Sequence, residues 1–124
     1  AAGFVTINHS IEIGFVTAII CNLSMIKIKK TNKIDDTLDV FASHGIGGIC
    51  GMILTSVFAK DVGLIYGETN TFILHVIACI AVIFFTFFGA LVLYKIVDII
   101  LPIRVRDDQE ERGLDLSQHG EVVI

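Results

Sequence analysis

The chain has 124 residues, of which 54% are hydrophobic and only 18% are charged, and its mean hydropathy is +0.80. This composition excludes a soluble domain with an ordinary polar surface, and the formal net charge of −4 gives no support to nucleic-acid binding. Charged side chains are absent from three stretches, residues 13–26, 40–59 and 69–94. Because about 20 apolar residues span the hydrocarbon core as a helix, the sequence predicts an all-α integral membrane protein with three transmembrane helices.

The membrane region is predicted to cover residues 1–103, followed by a polar tail over 104–124. The first apolar stretch is the shortest, and it can span the bilayer if Glu12 and Lys27 lie at its two interfaces. Pro102 is placed where the third helix ends, because proline cannot continue the hydrogen-bond ladder. The predicted helices are at about 12–28, 38–59 and 71–101.

The basic residues predict how the chain is oriented. The first connection contains four lysines and the tail contains three arginines, whereas the second connection contains one lysine. Because Lys and Arg accumulate in cytoplasmic loops, the first connection and the tail are predicted to be cytoplasmic, with Ala1 outside. The basic residues used are Lys27, Lys29, Lys30 and Lys33 in the first connection and Arg104, Arg106 and Arg112 in the tail.

Two further features concern the kind of chain this is. It begins at Ala1 without an initiator Met and enters the first span abruptly, which suggests a fragment of a longer protein. One cysteine lies in each apolar stretch, at Cys21, Cys50 and Cys79. Their spacing does not fit a metal site or a disulfide framework, so we interpret them as small hydrophobic residues.

The middle helix contains the most informative residue, His44. An ionisable side chain inside a span usually faces a cavity or a polar partner, and a histidine bonded to a neighbouring helix is the alternative. Val40, His44, Gly47 and Gly51 follow at spacings that place them on one helical face, as expected for a narrow lining with one polar group. Glycines in a helix favour close approach of a second backbone, which predicts tight packing at Gly47, Gly48 and Gly51.

The other polar positions are weaker candidates. His75 is expected to make a helix contact or to lie at the outer interface, and His9 is expected to cap a helix or lie at the surface. The tail could be a solvated, disordered end. Alternatively, its apolar side chains could anchor a short helix that stops at Gly113.

Two segments resemble signatures of the ammonium transporter family, the Amt, Mep and Rh group. Residues 35–51 are similar to its tenth membrane helix, and residues 109–121 resemble the cytoplasmic tail motif of its bacterial Amt branch. The two segments read DDTLDVFASHGIGGICG and QEERGLDLSQHGE. Together with the spacing between them, they identify the chain as the carboxy-terminal part of such a protein, helices nine to eleven and the tail.

This resemblance implies a fold of eleven membrane helices, assembled as a homotrimer with a pore through each subunit. Within that fold His44 matches the second of two pore histidines, Val40 matches an apolar lining position, and Asp39 matches the acid near the start of that helix. The tail residues of the motif, Gly113, Asp115 and His119, would take part in regulation. The cytoplasmic mouth would receive a PII-type nitrogen regulatory protein.

The expected function is therefore channel-like uptake of ammonium across the inner cell membrane, with lipid around the helices and without enzymatic activity, a cofactor or a metal. Alone, the chain lacks the first pore histidine, the aromatic gate and the outer recruitment site that the family places on earlier helices. We therefore expect these 124 residues to conduct nothing by themselves. The alternative is a truncated, non-conducting membrane fragment with a regulatory or relic role.

Overall fold

The computed structural model describes residues 3–31 and 34–121, and the regular structure in these ranges is helical. Three helices are long and apolar enough to cross a membrane, which confirms the all-α prediction with three spans. The second of them begins with a π-helical segment, Phe41–Ile46, and continues as an α-helix from Gly47. The elements are α1 (Ile7–Thr31), α2 (Phe41–Phe58), a 3₁₀ turn (Leu64–Tyr66), α3 (Asn70–Ile100), α4 (Asp107–Arg112) and a π turn (Asp115–His119).

The largest difference from the predicted bounds is in α1, which begins at Ile7 rather than near residue 12 and ends at Thr31 rather than near residue 28. Thr6 precedes the helix, and its hydroxyl accepts the main-chain N–H of His9 at 3.4 Å, so it acts as the N-cap. The hydropathy pattern locates the apolar part of a span, whereas this helix continues through polar residues beyond it.

Helix α1 packs along both the π-helical and the α-helical parts of α2. Ile13 is buried on α1, and two buried hydroxyl side chains of α2 bond to carbonyls of their own helix. Thr55 donates to the carbonyl of Gly51, and Ser56, which is fully buried, donates to the carbonyl of Ile53, each at 2.6 Å. Such internal bonds allow polar side chains to be buried in a membrane helix without partners on another helix.

The segment before α1 is hydrogen-bonded to the segment that follows α2. The main-chain N–H of Lys60 donates to the carbonyl of Phe4 at 2.8 Å. Gly63 then turns the chain, and a Cβ at this position would lie 2.5–2.7 Å from main-chain atoms of Val57 and Ala59. Only glycine fits this turn without moving the backbone.

The chain divides into two units, of which the first ends at Ile83 and the second begins at Phe84, within α3. Most large hydrophobic side chains are exposed in both units, as expected for helices that face lipid or other membrane helices. In the second unit the Phe87 and Phe88 rings meet edge to face at a centroid distance of 5.4 Å.

Candidate functional site

The start of α2 is held by a carboxylate that lies outside the helix. The main-chain N–H of Val40 donates to Asp36 Oδ1, and that of Phe41 donates to Asp36 Oδ2, both at 2.8 Å. The first N–H groups of a helix have no partner within it, and hydrogen bonds to an ionised acceptor are among the stronger ones in proteins. Asp36 therefore fixes where this membrane helix begins.

Asp39, predicted as the acid at the start of the helix, plays a different part. Its backbone is left-handed, with φ of 56°, and its carbonyl accepts both the N–H and the hydroxyl of Ser43, at 2.9 and 2.7 Å. Its carboxylate pairs with Lys29 Nζ of α1 at 2.8 Å. Both side chains are partly exposed, at 26% and 55%, so this pair is worth about 0.2–1 kcal/mol and mainly orients the two helix ends.

His44 lies inside the π-helical segment, and its side chain is exposed. Its imidazole makes no hydrogen bond, ion pair or ring contact with any residue in the described ranges, whereas its carbonyl accepts the N–H of Gly47. A π turn contains one residue more than an α turn and often occurs at functional sites. Val40, half exposed, precedes the segment, and the ring of Phe41 lies 3.3 Å from the position that a Cβ on Gly45 would occupy.

The three glycines predicted to pack closely have different surroundings. A Cβ on Gly47 would lie 3.1 Å from Cys21 Sγ and 3.9 Å from Thr17 Cγ2, both on α1. A Cβ on Gly48 or Gly51 would meet no heavy atom within 4 Å among the described residues, so close packing there stays a prediction. Thr17 Oγ1 is buried beside this contact and has no hydrogen-bond partner in the described part of the chain.

Gly48 and Gly51 instead line an open cleft of about 450 Å³ within the first unit. Its mixed lining includes His75 of α3, whose Nδ1 donates to the carbonyl of Thr71 at 2.9 Å. This bond leaves Nε2 of the neutral imidazole as an acceptor. The cleft is lined by Phe4, Gly48, Gly51, Met52, Thr55 and His75.

The residues predicted to share one face, Val40, His44, Gly47 and Gly51, have different surroundings. His44 is exposed, Gly47 lies against α1, and Gly51 lines the cleft. The π-helical segment Phe41–Ile46 contains His44, and it changes the helical register from that of the regular α-helix for which the face was drawn.

His9, at the beginning of α1, contacts the end of α2. Its ring stacks on that of Phe58 with centroids 4.9 Å apart, and its Nδ1 lies 3.2 Å from Glu12 Oε2. Within the first unit, this cluster joins the beginning of α1 to the end of α2.

The tail has local order of its own. Helix α4 starts at Asp107, where the side-chain oxygen of Gln109 accepts the main-chain N–H of Arg106 at 3.4 Å, and it ends at Gly113, whose φ is 86°. Gly113 therefore occupies a backbone conformation that other residues rarely adopt. Asp115 and His119 begin and end the π turn that follows, and Ser117 donates to the carbonyl of Gln109 at 3.3 Å.

The family model described as the Ammonium Transporter Family matches residues 1–124. The chain belongs to the ammonium transporter family. It is 40% identical to an ammonium transporter of Bacillus subtilis and 41% identical to one of Archaeoglobus fulgidus. An ammonium transporter of Aquifex aeolicus is 35% identical. Each similarity covers 98% of this chain and 30–32% of the relative, so the chain spans about a third of the length of these transporters.

Membership of the ammonium transporter family confirms the resemblance drawn from the two motifs, and with the three apolar helices it makes the chain part of a multi-pass membrane protein. Within the described residues there is no group of three or more His, Cys, Asp or Glu side chains that could hold a metal ion.

Sequence reasoning missed the cap made by Asp36, the ion pair between Lys29 and Asp39, and the π turn. One feature of the sequence could have indicated the helix cap, namely an acidic residue shortly before the apolar run of α2. Three acids precede that run, Asp35, Asp36 and Asp39, and the sequence does not show which of them is the cap. Which of them accepts the helix N–H groups depends on the left-handed turn at Asp39, and no local residue pattern determined that turn.

Proposed function

We propose that this chain is the carboxy-terminal part of an ammonium channel, and that His44 lines the path taken by ammonia. The observation that carries the proposal is the position of His44. It is an exposed imidazole within a membrane-spanning helix, in a π turn, and it has no partner among the described residues. His75 differs in this respect, because its Nδ1 donates to the carbonyl of Thr71 in its own helix.

The chemistry follows from the cost of moving a charge through an apolar lining. An ammonium ion loses hydration there, at a cost of several kcal/mol or more unless its charge is removed or paired. If the ion gives up a proton at the entrance, neutral ammonia can cross the apolar section and regain a proton beyond it. A neutral imidazole offers one hydrogen-bond donor and one acceptor, so His44 can bond ammonia or pass a proton on.

The partners follow from the same assignment. We propose that the longer protein forms a homotrimer in the inner cell membrane. In this proposal the first connection and the tail lie on the cytoplasmic side. A PII-type regulator would contact the cytoplasmic mouth near Asp39, and the tail residues Gly113, Asp115 and His119 would couple that surface to the subunits. The unequal distribution of lysines and arginines between the connections supports this orientation.

Uptake of ammonium and methylammonium by transporter-deficient cells tests the function. The full-length protein containing this segment is expected to restore uptake, and His44→Ala is expected to change its rate or ion selectivity at equal membrane abundance. His75→Ala is the matched control, because it removes a membrane-helix histidine that already has a main-chain partner, and it should leave uptake near the parent value. Cells that express only the 124 residues should take up nothing. If the full-length protein restored no uptake, the transport proposal would be wrong.

A further inference from the structure

Asp36 makes two short hydrogen bonds whose consequence extends beyond capping. One carboxylate oxygen accepts the N–H of Val40 and the other accepts the N–H of Phe41, each at 2.8 Å. Phe41 is the first residue of the π-helical segment that contains His44. The carboxylate therefore holds the residue from which the wide turn starts.

The other end of the same segment is also held. Gly47 follows Ile46 directly, and its backbone lies against Cys21 of α1, close enough that a Cβ would be 3.1 Å from the sulfur. His44 lies between these two fixed points. Asp36 holds the segment at Phe41, and α1 holds it at Gly47. The additional residue of the π turn therefore stays between these two positions.

We propose that Asp36 is a positioning residue for His44, which sets the rotation of the imidazole by holding the π turn open. This inference rests on the proposed function of His44 in the substrate path. Converting a π turn to an α turn removes one residue from it, which corresponds to about 100° of rotation and about 1.5 Å of rise. With Gly47 fixed against α1, that change would fall on the segment before it, including His44.

A simple capping role is the competing explanation, and it makes a different prediction. Water could replace a carboxylate at an exposed helix start, so loss of Asp36 as a cap alone would lower stability without moving His44. Asp35 provides the control, because it is a neighbouring acid that accepts only the Thr37 hydroxyl, at 3.4 Å, among the described residues.

Uptake by the full-length protein in transporter-deficient cells is the first readout. We expect Asp36→Ala to lower ammonium uptake roughly tenfold at equal membrane abundance, since a displacement of about 1 Å can cost up to about a hundredfold in a process that depends on geometry. Asp35→Ala should remain near the parent value. Asp36→Ala combined with His44→Ala should match His44→Ala alone, because two residues that act through one another are not additive.

The second readout does not depend on transport. In the full-length protein with Cys21 replaced by serine, which keeps the size of the side chain beside Gly47, and the other cysteines replaced by alanine, a His44→Cys substitution can be modified by a small water-soluble methanethiosulfonate reagent. Asp36→Ala should change the modification rate at least about threefold relative to Asp35→Ala, because the side chain at position 44 rotates. If the parent protein transports nothing but this rate still depends on Asp36, the proposed function fails and the positioning role stands.

Unchanged uptake and an unchanged modification rate in Asp36→Ala, at equal abundance, would overturn the proposal, as would strictly additive effects with His44→Ala. If Asp36→Ala does not reach the membrane, the same two measurements are made on Asp36→Asn instead. Its amide oxygen can accept one of the two N–H groups, so we expect intermediate values in both measurements, and parent values in both would contradict the positioning role.

Discussion

At Gly47 the backbone of α2 lies against side chains of α1. A Cβ at this position would be 3.1 Å from Cys21 Sγ and 3.9 Å from Thr17 Cγ2, and the Thr17 hydroxyl buried beside this contact has no partner among the described residues. Gly48, the next residue, has no such neighbour in the described chain. The pair therefore allows the same substitution to be compared in two surroundings one residue apart.

We expect Gly47→Val to lower the stability of the chain in detergent by about 1–3 kcal/mol, because a side chain forced into a filled contact displaces its neighbours. Gly48→Val is the matched control, with the same change in helix propensity and open space around it. Thermal unfolding followed by circular dichroism measures both. Equal melting temperatures for the two variants would show that the space between α1 and position 47 does not restrict the size of the side chain there.

At the scale of elements, sequence reasoning succeeded where a physical signal is local. Apolar stretches indicated three spans, and the starts predicted for the second and third fall within three residues of the observed ones. The extension of α1 to Ile7 depends on the cap at Thr6 and on the stack between His9 and Phe58, and the stack is a contact between distant parts of the chain. The π turn at His44 is set by Asp36 and by packing on α1, so no periodicity in α2 could reveal it.

The tail offers a second prediction at this scale. Gly113 ends α4 with a φ of 86°, where an alanine is strained, whereas Gly89 of α3 has an ordinary φ and open space around it. Gly113→Ala should therefore fray α4 and speed tryptic cleavage after Arg112 by several-fold, and Gly89→Ala should not. The rates can be followed by mass spectrometry of the full-length protein in inside-out vesicles. Equal cleavage rates would mean that α4 does not depend on the turn at Gly113.

Across the described residues, three helices are long and apolar enough to cross a membrane, and most large hydrophobic side chains are exposed. The orientation proposed for the chain predicts opposite accessibility of its connections. In intact cells, a Lys60→Cys substitution in the cysteine-free full-length protein should react with a membrane-impermeant maleimide. Lys30→Cys and Gln118→Cys should react only after permeabilisation. The reverse pattern would contradict the orientation inferred from the lysines and arginines.

Whether His44 lines the substrate path is tested most directly by ion selectivity in reconstituted vesicles. The full-length protein and its His44→Ala variant would be compared for ammonium-driven and potassium-driven currents at equal protein density. If His44 handles the proton of ammonium, the parent should respond to ammonium alone, and the variant should lose ammonium current or gain potassium current. Identical currents and selectivity in the two proteins would mean that His44 is structural, and the proposed path would be wrong even though the chain belongs to the ammonium transporter family.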